Sequence, residues 1–238
     1  MPSTDALRIL PCGDTALVVE FGDSIDPDLN GRVLSLDTAC RSERGVVETV
    51  PTYRSLLVYY DPAEITFADM SGRLRQLAAT VSGDAREGVT WTVPVAYGGP
   101  HGIDLEATAA RHGIMPDELI RRHSAPLYRV YMLGFLPGFA YLGGLDASIA
   151  TPRRTTPRLK TPPGTISIGG VQALVASIEA PSGWHLLGQT PVRNFMPSRD
   201  PAVLIGPGDR VRFRPIDPAS FAELDRRAAA GEAIAERS

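Results

Sequence analysis

A β-hairpin is predicted by residues 165–178, TISIGGVQALVASI, in which two apolar runs flank the pair Gly169-Gly170. Glycine adopts the positive φ angles that tight turns require at little steric cost. Short strands separated by Gly and Pro continue beyond this hairpin, with turns at Pro181-Ser182-Gly183 and Pro207-Gly208-Asp209. Many short strands at such spacing are typical of a closed or nearly closed β-barrel. We therefore predict a barrel in the second part of the chain.

The N-terminal part of the chain shows two helix patterns among short apolar runs. Asp26 stands before Pro27, which is the arrangement of an N-cap followed by proline at the first helical position. In the second pattern, Thr66 stands at the N-cap position. Apolar residues follow each start at helical spacing: Leu29, Val33, Leu36 and Cys40, then Phe67, Met70, Leu74 and Leu77. The order strand, strand, helix, strand, strand, helix predicts an α+β sandwich with helices on one side of a mainly antiparallel sheet.

We predict three parts along the chain. Residues 1–83 form the N-terminal α+β sandwich domain, and Ser82-Gly83-Asp84 is a linker. Residues 84–217 form the β-barrel domain, which includes a helical hairpin made by Asp104–His112, with Asp104 as its cap, and Pro116–His123. Residues 218–238 form a short, polar, Ala-rich helical tail that frays. The predicted fold class is α+β.

Charge is divided unevenly along the chain. Its 238 residues carry 24 Lys and Arg against 27 Asp and Glu, a net charge of -3. From Arg121 to Arg214 there are 12 basic and 4 acidic residues, so this region has a net charge of +8 and the remainder -11. This basic region coincides with the predicted barrel. It favours a small anionic substrate or an acidic protein surface as partner. Nucleic acid is disfavoured, because the whole chain is acidic and has no nucleic-acid module.

The composition excludes several classes of protein. With 43% hydrophobic and 21% charged residues the chain is globular, which excludes disorder and collagen-like repeats. No run approaches the roughly 18 apolar residues of a membrane span, and the N-terminus lacks a signal-peptide pattern, so we expect a soluble, cytoplasmic protein without a membrane partner. Cys12 and Cys40 are too few for a disulfide framework. The four histidines lack metal-ligand spacing, so no metal is expected.

Residues 134–144, GFLPGFAYLGG, place four glycines and three aromatic residues in eleven positions. Glycine lets the backbone approach a ligand closely, and aromatic side chains supply a stacking wall. A loop whose aromatic side chains plug the barrel is the alternative interpretation. The stretch is not a dinucleotide fingerprint, because no G-x-G-x-x-G spacing follows a strand.

Thr-Pro recurs every five residues, at positions 151, 156 and 161, with Arg153, Arg154, Arg158 and Lys160 in between. Repeated prolines hold such a segment extended, and guanidinium groups bind carboxylate or phosphate through paired hydrogen bonds. The segment is therefore a candidate anion clamp. A solvated surface loop is the alternative.

Three isolated residues are further candidates for a binding site. His123 precedes Ser124 at a predicted helix end, where it belongs either to a site or to a helix C-terminal cap. Gln172 follows the Gly169-Gly170 turn and Trp184 follows a Pro-Ser-Gly turn. Both are placed to line a barrel mouth, although a core position is the commoner one for Trp. No G-x-S-x-G elbow, Walker A loop or biotin attachment motif is present, so the sequence predicts no self-sufficient catalytic machinery.

Motifs in one order along almost the whole chain carry a resemblance to a known family. In the first part they are Gly13-Asp14-Thr15-Ala16, Glu20-Phe21-Gly22, Val93-Pro94-Val95, Tyr97-Gly98-Gly99 and His123-Ser124. In the second part they are Gly134-Phe135, Pro137-Gly138-Phe139, Tyr141-Leu142-Gly143, Thr151-Pro152-Arg153-Arg154, Pro157-Arg158-Leu159, Pro163-Gly164, Ile168-Gly169-Gly170 with Gln172, Gly183-Trp184, Gly188 with Thr190, and Pro207 to Phe213. On these residues the chain resembles the family that comprises the B subunit of 5-oxoprolinase, allophanate hydrolase subunit 1 and KipI-like histidine-kinase inhibitors.

The resemblance implies an N-terminal α+β domain followed by a cyclophilin-like β-barrel. It also implies a homologous partner, of the type of the 5-oxoprolinase C subunit or allophanate hydrolase subunit 2, and the pair is similar to the carboxyltransferase part of urea carboxylase. With a third component, the A subunit of 5-oxoprolinase, the implied activity is ATP-dependent opening of 5-oxoproline to glutamate. ATP is the implied cofactor, in a component that the resemblance does not identify. The chain is expected to be inactive alone.

The resemblance also implies the residues of a site. Arg153, Arg154 and Arg158 would hold the substrate carboxylate or neutralise a phosphoryl group. Gln172 and the loop from Phe135 to Tyr141 would shape the pocket. The remaining substrate-binding candidates are Pro137, Gly138, Phe139, Pro163, Gly164, Trp184 and His123. No residue is assigned to catalysis.

Departures from the family pattern concern the pocket edge. Where the family usually has Gln-Thr-Gly, this chain has Gln172-Ala173-Leu174. Further changes give Ser182-Gly183-Trp184, Gly188-Gln189-Thr190 and Asn194-Phe195-Met196 in place of Gly-Gly-Trp, Gly-Arg-Thr and Leu-Phe-Asp.

Two other functions stay open: a regulatory protein whose barrel docks on the helical domain of a sensor histidine kinase, and a structural component that supports its partner's catalytic residues.

Overall fold

A computed structural model describes residues 7–83 and 88–238 of the chain. The chain divides into two compact units, Met1–Glu87 and Gly88–Ser238, and each has its own hydrophobic core. Of the predicted linker, Ser82 and Gly83 are described, and Asp84 lies outside the described residues. The predicted boundary after residue 83 stays a prediction.

The first unit is a four-stranded antiparallel sheet with two helices. Its elements are β1 (Arg8–Pro11), β2 (Ala16–Glu20), α1 (Pro27–Cys40), β3 (Val46–Pro51), β4 (Ser55–Tyr60) and α2 (Phe67–Thr80). The strands lie in the order β1, β2, β4, β3, and every neighbouring pair is antiparallel. The element order and the sheet type predicted from the sequence are confirmed.

Both helices of the first unit start where the capping residues predict. The Asp26 side chain accepts hydrogen bonds from the backbone N–H groups of Asp28 and Leu29, and Pro27 occupies the first turn. The Thr66 side chain accepts a hydrogen bond from the Asp69 backbone N–H. Such caps satisfy N–H groups that have no partner inside the helix, and each contributes about 1 kcal/mol.

One face of the first sheet forms the core of this unit. In β4, Leu56 and Val58 are buried and Tyr59, which points to the opposite face, is exposed. Leu36 of α1 and Met70 of α2 lie in the same buried cluster. Full burial of such side chains contributes about 1.5–3 kcal/mol each. The helices therefore cover the sheet on its apolar face.

The second unit contains the remaining elements. They are β5 (Thr90–Tyr97), α3 (Leu105–Arg111), α4 (Pro116–Ser124), β6 (Tyr128–Leu133), β7 (Ala140–Gly143), β8 (Arg158–Thr161), β9 (Thr165–Gly169), β10 (Gln172–Val175), β11 (Ala180–Ser182), β12 (His185–Gln189), β13 (Arg210–Ile216), α5 (Pro218–Ala229) and β14 (Glu236–Arg237). A single 3-10 turn covers Ala147–Ile149. The predicted helical hairpin is confirmed by α3 and α4.

Within residues 88–238, seven strands close into a barrel. Around the barrel the order is β5, β12, β9, β10, β7, β6, β13, and β13 pairs with β5 again. The β13–β5 pair is parallel and the other pairs are antiparallel. The interior is filled by buried side chains such as Val93, Tyr128, Ile166 and Phe213. The pairing of β13 with β5 confirms the barrel prediction. Closure removes the unpaired strand edges that an open sheet would have.

The hairpin of β9 and β10 is confirmed, and glycine is required at its two positions for different reasons. Gln172 pairs with Gly169, so Gly170 and Val171 form the turn. Gly170 has a φ of 62°, which glycine adopts without strain. At Gly169 a side chain would meet the ring of Trp184, since an added Cβ would lie 2.7 Å from it. One glycine therefore serves the turn and the other makes room for Trp184.

The C-terminal segment belongs to the second unit. The polar, Ala-rich sequence of residues 218–238 predicts a separate tail that frays, and the structure differs. Strand β14 pairs with β5, and Ala228, Ile234 and Ala235 are buried in the barrel cluster. Three buried apolar side chains and one strand pairing therefore hold the segment. No helix among residues 7–83 and 88–238 is long and apolar enough to cross a membrane.

Candidate functional site

A cavity of about 240 Å³ lies at the surface of the second unit, where three loop segments meet. The first segment leads from β6 to β7, the second precedes β8, and the third comprises the end of β11 and the residues that follow it. The cavity is lined by Phe135, Phe139, Tyr141, Arg153, Arg154, Pro157, Leu174, Pro181, Ser182, Gly183 and Trp184. The structure thus brings together the predicted glycine-aromatic loop, the Thr-Pro-Arg segment and Trp184.

Trp184 forms the central wall of this cavity. The ring of Tyr141 meets it edge-on, with centroids 5.9 Å apart. The guanidinium carbon of Arg153 lies 5.4 Å from the centre of the indole ring, within the range of a cation–π contact. The close approach of the indole to Gly169 fixes the opposite side. The cavity therefore has an apolar, aromatic wall with one cation above it.

Phe135 stands at the rim in an unusual backbone conformation. Its φ of 69° makes it the one non-glycine residue with positive φ among those described. The side chain is 64% exposed, and its ring meets Phe139 edge-on with centroids 5.8 Å apart. A bulky residue in this region costs about 1–2 kcal/mol, and such strain concentrates at ligand sites. The conformation holds an aromatic ring in solvent beside the cavity.

Two buried polar side chains fasten the loop that carries Phe135. The Ser177 hydroxyl donates to the carbonyl oxygen of Pro137, and the Asn194 side-chain amide donates to that of Gly138 at 2.7 Å. The Asn194 side-chain oxygen in turn accepts the Ile205 backbone N–H at 2.8 Å. Pro137 and Gly138, which the resemblance implies as ligand contacts, are thus held by their carbonyl groups and do not line the cavity.

The three arginines of the predicted clamp have different partners. Arg158 donates through Nη2 to Asp104 Oδ1 at 2.6 Å, and Arg154 reaches the same oxygen through Nη1 at 3.4 Å. Arg153 has no acidic partner among residues 7–83 and 88–238. Lys160 pairs with the exposed Glu179 at 2.9 Å. Of the four basic side chains, Arg153 alone lines the cavity without an acidic partner among the described residues.

The environment of Tyr141 keeps its phenol protonated. Burial raises the pKa of Tyr141, because the phenolate form loses hydration, and the nearby charge of Arg153 opposes this effect. The hydroxyl group therefore acts as a neutral donor or acceptor at neutral pH. Among the described residues, no group of three or more His, Cys, Asp or Glu side chains is arranged to hold a metal ion.

Comparison with known proteins identifies the family of this chain. The model of the carboxyltransferase domain, subdomains C and D, matches residues 7–205. The chain belongs to this carboxyltransferase-domain family. Relatives named as the B subunit of 5-oxoprolinase include that of Bacillus subtilis, which is 36% identical over 222 residues covering 87% of this chain and 91% of the relative. The predicted family resemblance is confirmed.

Solved structures of other proteins share the fold of this chain. A conserved uncharacterized protein from Pyrococcus horikoshii is 46% identical with a TM-score of 0.55, over 90% of this chain and 100% of that one. Urea amidolyase of K. lactis has a TM-score of 0.81 at 18% identity, over 100% of this chain and 17% of that one. The second likeness concerns the fold alone.

His123 lies away from the cavity in this carboxyltransferase-domain chain. It is fully buried, stacks on Phe213 with centroids 4.9 Å apart, and its Nδ1 lies 2.8 Å from the Tyr97 hydroxyl. Its Nε2 has no hydrogen-bond partner among the described residues. Burial lowers the pKa of His123 to about 3, because the charged imidazolium cannot be hydrated there. His123 is a neutral core residue and makes no contact with the cavity.

Three further candidates also lie outside the cavity lining. Gln172 begins β10 next to the hairpin turn and is half-buried. The Pro163 carbonyl oxygen accepts a hydrogen bond from the Gln189 side chain at 2.8 Å, and the Gly164 N–H donates to the Ala176 carbonyl at 2.8 Å. Pro163 and Gly164 therefore have structural contacts within the barrel.

Sequence reasoning missed the importance of Asp104. The sequence predicts it as the cap of α3, and it does precede the first residue of that helix, Leu105. Its side chain makes no capping hydrogen bond and instead accepts from Arg154, Arg158 and the Leu186 N–H. A capping Asp and an ion-pairing Asp look alike in a sequence, because the partners lie about 50 and 80 residues further along the chain.

Proposed function

We propose that this chain is one component of a cytoplasmic, ATP-dependent amide hydrolase of the 5-oxoprolinase type. The observation that carries the proposal is the 36% identity to the B subunit of Bacillus subtilis 5-oxoprolinase over 91% of that protein. A protein named as one lettered component of an enzyme works with others. The reaction is the hydrolysis of 5-oxoproline to glutamate, in which the ring C–N bond is replaced by a carboxylate and an amino group and ATP hydrolysis drives the change.

The cavity supports a small substrate with one carboxylate. The aromatic wall of Tyr141 and Trp184 suits a compact ring, and Arg153 supplies a guanidinium for a carboxylate. Phe135 at the rim extends the apolar surface outward. We infer that these residues bind and orient the substrate and exclude water from one side of the ring, while the reacting groups come from a partner protein.

The residues of this cavity do not fit ATP. Cavities for drug-sized ligands and cofactors usually span about 300–1,000 Å³, and this one measures about 240 Å³. A triphosphate also needs several cations, whereas Arg158 is committed to Asp104 and Arg154 is turned toward it. We therefore place ATP binding, and the activation of the amide by phosphorylation, in another component of the enzyme.

The proposed partner is a homologous chain of the type of the 5-oxoprolinase C subunit, and a third chain, of the A type, completes the enzyme. The composite site follows from the cavity itself, since its lining offers binding groups and no nucleophile paired with a base. This chain alone is then inactive.

The test is reconstitution of the three components and measurement of glutamate release from 5-oxoproline. Arg153→Gln is expected to lower kcat/KM about 10- to 100-fold, because one charge-assisted hydrogen bond contributes about 1.5–3 kcal/mol. Lys160→Gln is the matched control in the same segment, and it should leave the rate unchanged. Activity that depends equally on both side chains, or on neither, contradicts the proposed site. Absence of activity in the complete assembly contradicts the function.

A regulatory role is the second candidate, and exposed Phe135 is the observation that favours it. An aromatic ring held in solvent beside a cavity also suits docking on another protein. Co-purification of this chain with sensor histidine kinases tests the idea. A stable complex with a homologue of the C type and none with a kinase rules it out. If this chain joins the assembly but adds neither substrate binding nor kinase binding, the third interpretation, a structural component, is supported.

A further inference from the structure

We propose that Asp104 is a positioning residue. Its carboxylate holds the guanidinium of Arg158 in an ion pair and keeps that of Arg154 turned toward it, so that Arg153 alone binds the charged group of the ligand. The cavity then prefers a singly charged carboxylate to a phosphate. This inference rests on the proposed function, because it takes the cavity as the substrate site.

Asp104 occupies a buried position between the helix α3 and the strand β12. Its side chain is 8% exposed. The Asp104 N–H donates to the Leu186 carbonyl at 3.0 Å, and Oδ2 accepts the Leu186 N–H at 2.8 Å. These two hydrogen bonds fix the carboxylate against β12, two residues beyond Trp184. The remaining oxygen, Oδ1, faces the arginines.

The two arginines are held to different degrees. Arg158 makes a 2.6 Å contact with Asp104 and its side chain is 22% exposed. Arg154 makes a 3.4 Å contact with the same oxygen, is 33% exposed and lines the cavity. One carboxylate thus pairs with two guanidinium groups. Its shorter contact is with Arg158, which does not line the cavity.

The backbone of the arginine segment is fastened to the same wall. The Arg154 N–H donates to the Gly183 carbonyl at 2.7 Å, and Arg158 pairs with Ser182 between β8 and β11. Both contacts lie directly before Trp184. A shift of the arginine side chains therefore reaches the indole wall through a few bonds.

Loss of the Asp104 charge leaves two partly buried cations without a counter-charge. Arg158 Nη1 already has no hydrogen-bond partner among the described residues in its buried position. A buried charge that loses its partner is strongly unfavourable, so the side chain moves toward solvent or toward an anion. The accessible direction for Arg154 is the cavity that it lines. Such a cavity has additional positive charge and favours a phosphate dianion.

The experiment measures the ratio of two affinities by isothermal titration calorimetry at pH 8, with the full chain and with its complex. The probes are 5-oxoproline and inorganic phosphate. For the wild type we expect 5-oxoproline to bind at least about tenfold more tightly than phosphate, and Asp104→Asn to shift the ratio toward phosphate by about fivefold or more. Glu106→Gln removes the same charge from an exposed position in the first turn of α3, two residues after Asp104, and should leave the ratio unchanged.

A double variant, Asp104→Asn with Arg154→Gln, tests the cause of the shift. It removes the cation that lines the cavity together with the carboxylate that restrains it, so the net charge of the cluster stays that of the wild type. Its ratio should return to within about threefold of the wild type, because the guanidinium that the loss of Asp104 releases toward the cavity is gone. A double variant that prefers phosphate as strongly as the single one overturns the inference, and so does a shift of equal size in Glu106→Gln.

The two proposals fail in different ways. If 5-oxoproline binds, Arg153→Gln abolishes the binding and Asp104→Asn leaves the ratio unchanged, the role of Asp104 is wrong and the proposed function stands. If neither the chain nor its complex binds 5-oxoproline, both are wrong.

Discussion

Phe135 is the residue whose backbone conformation departs furthest from the preference of its type. A φ of 69° costs a bulky residue about 1–2 kcal/mol, and the exposed ring recovers little of this through burial. Phe135→Gly is therefore expected to keep or raise the free energy of unfolding, by up to about 1 kcal/mol, in urea denaturation. The same change should weaken ligand binding, because it removes the rim of the cavity.

Phe135→Ala provides the comparison for this residue. Alanine removes the ring and keeps a Cβ in the unfavourable region, so it should weaken binding without the gain in stability. A glycine variant that is clearly less stable than the alanine variant would show that the strain at this position is smaller than the flexibility glycine adds to the unfolded chain.

His123 makes the stability of the protein depend on pH in the acid range. In the folded protein its pKa is about 3, against an ordinary value of 6.5. Between these values the unfolded chain binds a proton that the folded chain does not. The contribution of neutral His123 to stability is therefore fully present above about pH 6.5 and is lost as the pH falls toward 3. One such proton corresponds to a slope of about 1.4 kcal/mol per pH unit.

His123→Gln removes this titration, and the slope of the unfolding free energy between pH 4 and 6 should fall by that amount. Denaturant titrations at several pH values measure it. Ser124→Ala, a neighbour without a titrating group, should keep the wild-type slope. An unchanged slope in His123→Gln would locate the acid sensitivity elsewhere.

At the scale of elements, the loop between β6 and β7 depends on two side chains from distant parts of the barrel. Asn194 joins the Gly138 carbonyl to the Ile205 N–H through buried hydrogen bonds. Asn194→Ala leaves both without a partner, so the free energy of unfolding should fall by about 2–4 kcal/mol. Circular dichroism during thermal unfolding measures the loss. Ser198→Ala, at an exposed position nearby, should change stability by no more than about 0.5 kcal/mol.

The same change should also weaken ligand binding more than its effect on stability explains, because the loop carries Phe135 and Phe139. Hydrogen exchange of the amides in residues 134–139 reports this directly. Protection equal to that of the wild type would show that Ser177 alone is sufficient to hold the loop.

At the scale of the whole molecule, each unit has its own core, and the C-terminal segment belongs to the second one. A polypeptide of residues 88–238 is expected to unfold cooperatively in urea, because its buried cluster consists of its own residues. Both tryptophans, Trp91 and Trp184, lie in this unit, so tryptophan fluorescence follows its unfolding.

A shorter polypeptide, residues 88–217, tests whether the C-terminal segment is part of the barrel unit. It lacks α5 and β14, and with them the buried Ala228, Ile234 and Ala235. Its unfolding free energy should be lower by about 3 kcal/mol or more. Equal stability of the two polypeptides would support the separate tail that the sequence predicts.

Local features of the chain were predictable because their causes are local. The capping residues Asp26 and Thr66 and the glycine turn of the β9–β10 hairpin act over a few residues. The candidate cavity was predictable in part: its aromatic residues and Arg153 come from motifs of unusual composition. His123, Pro163 and Gly164 belong to matching motifs as well, yet their side chains and backbone groups serve the barrel.

The sequence by itself determined the fold class, the starts of the helices, the hairpin and the family to which the chain belongs. Tertiary structure alone decided which of the three arginines has no acidic partner among the described residues. Arg153, Arg154 and Arg158 are equivalent as letters in one basic segment, and they differ because folding brings a buried carboxylate to two of them and an indole ring to the third. Charge in a protein acts through distance and burial, and neither is written in the order of the residues.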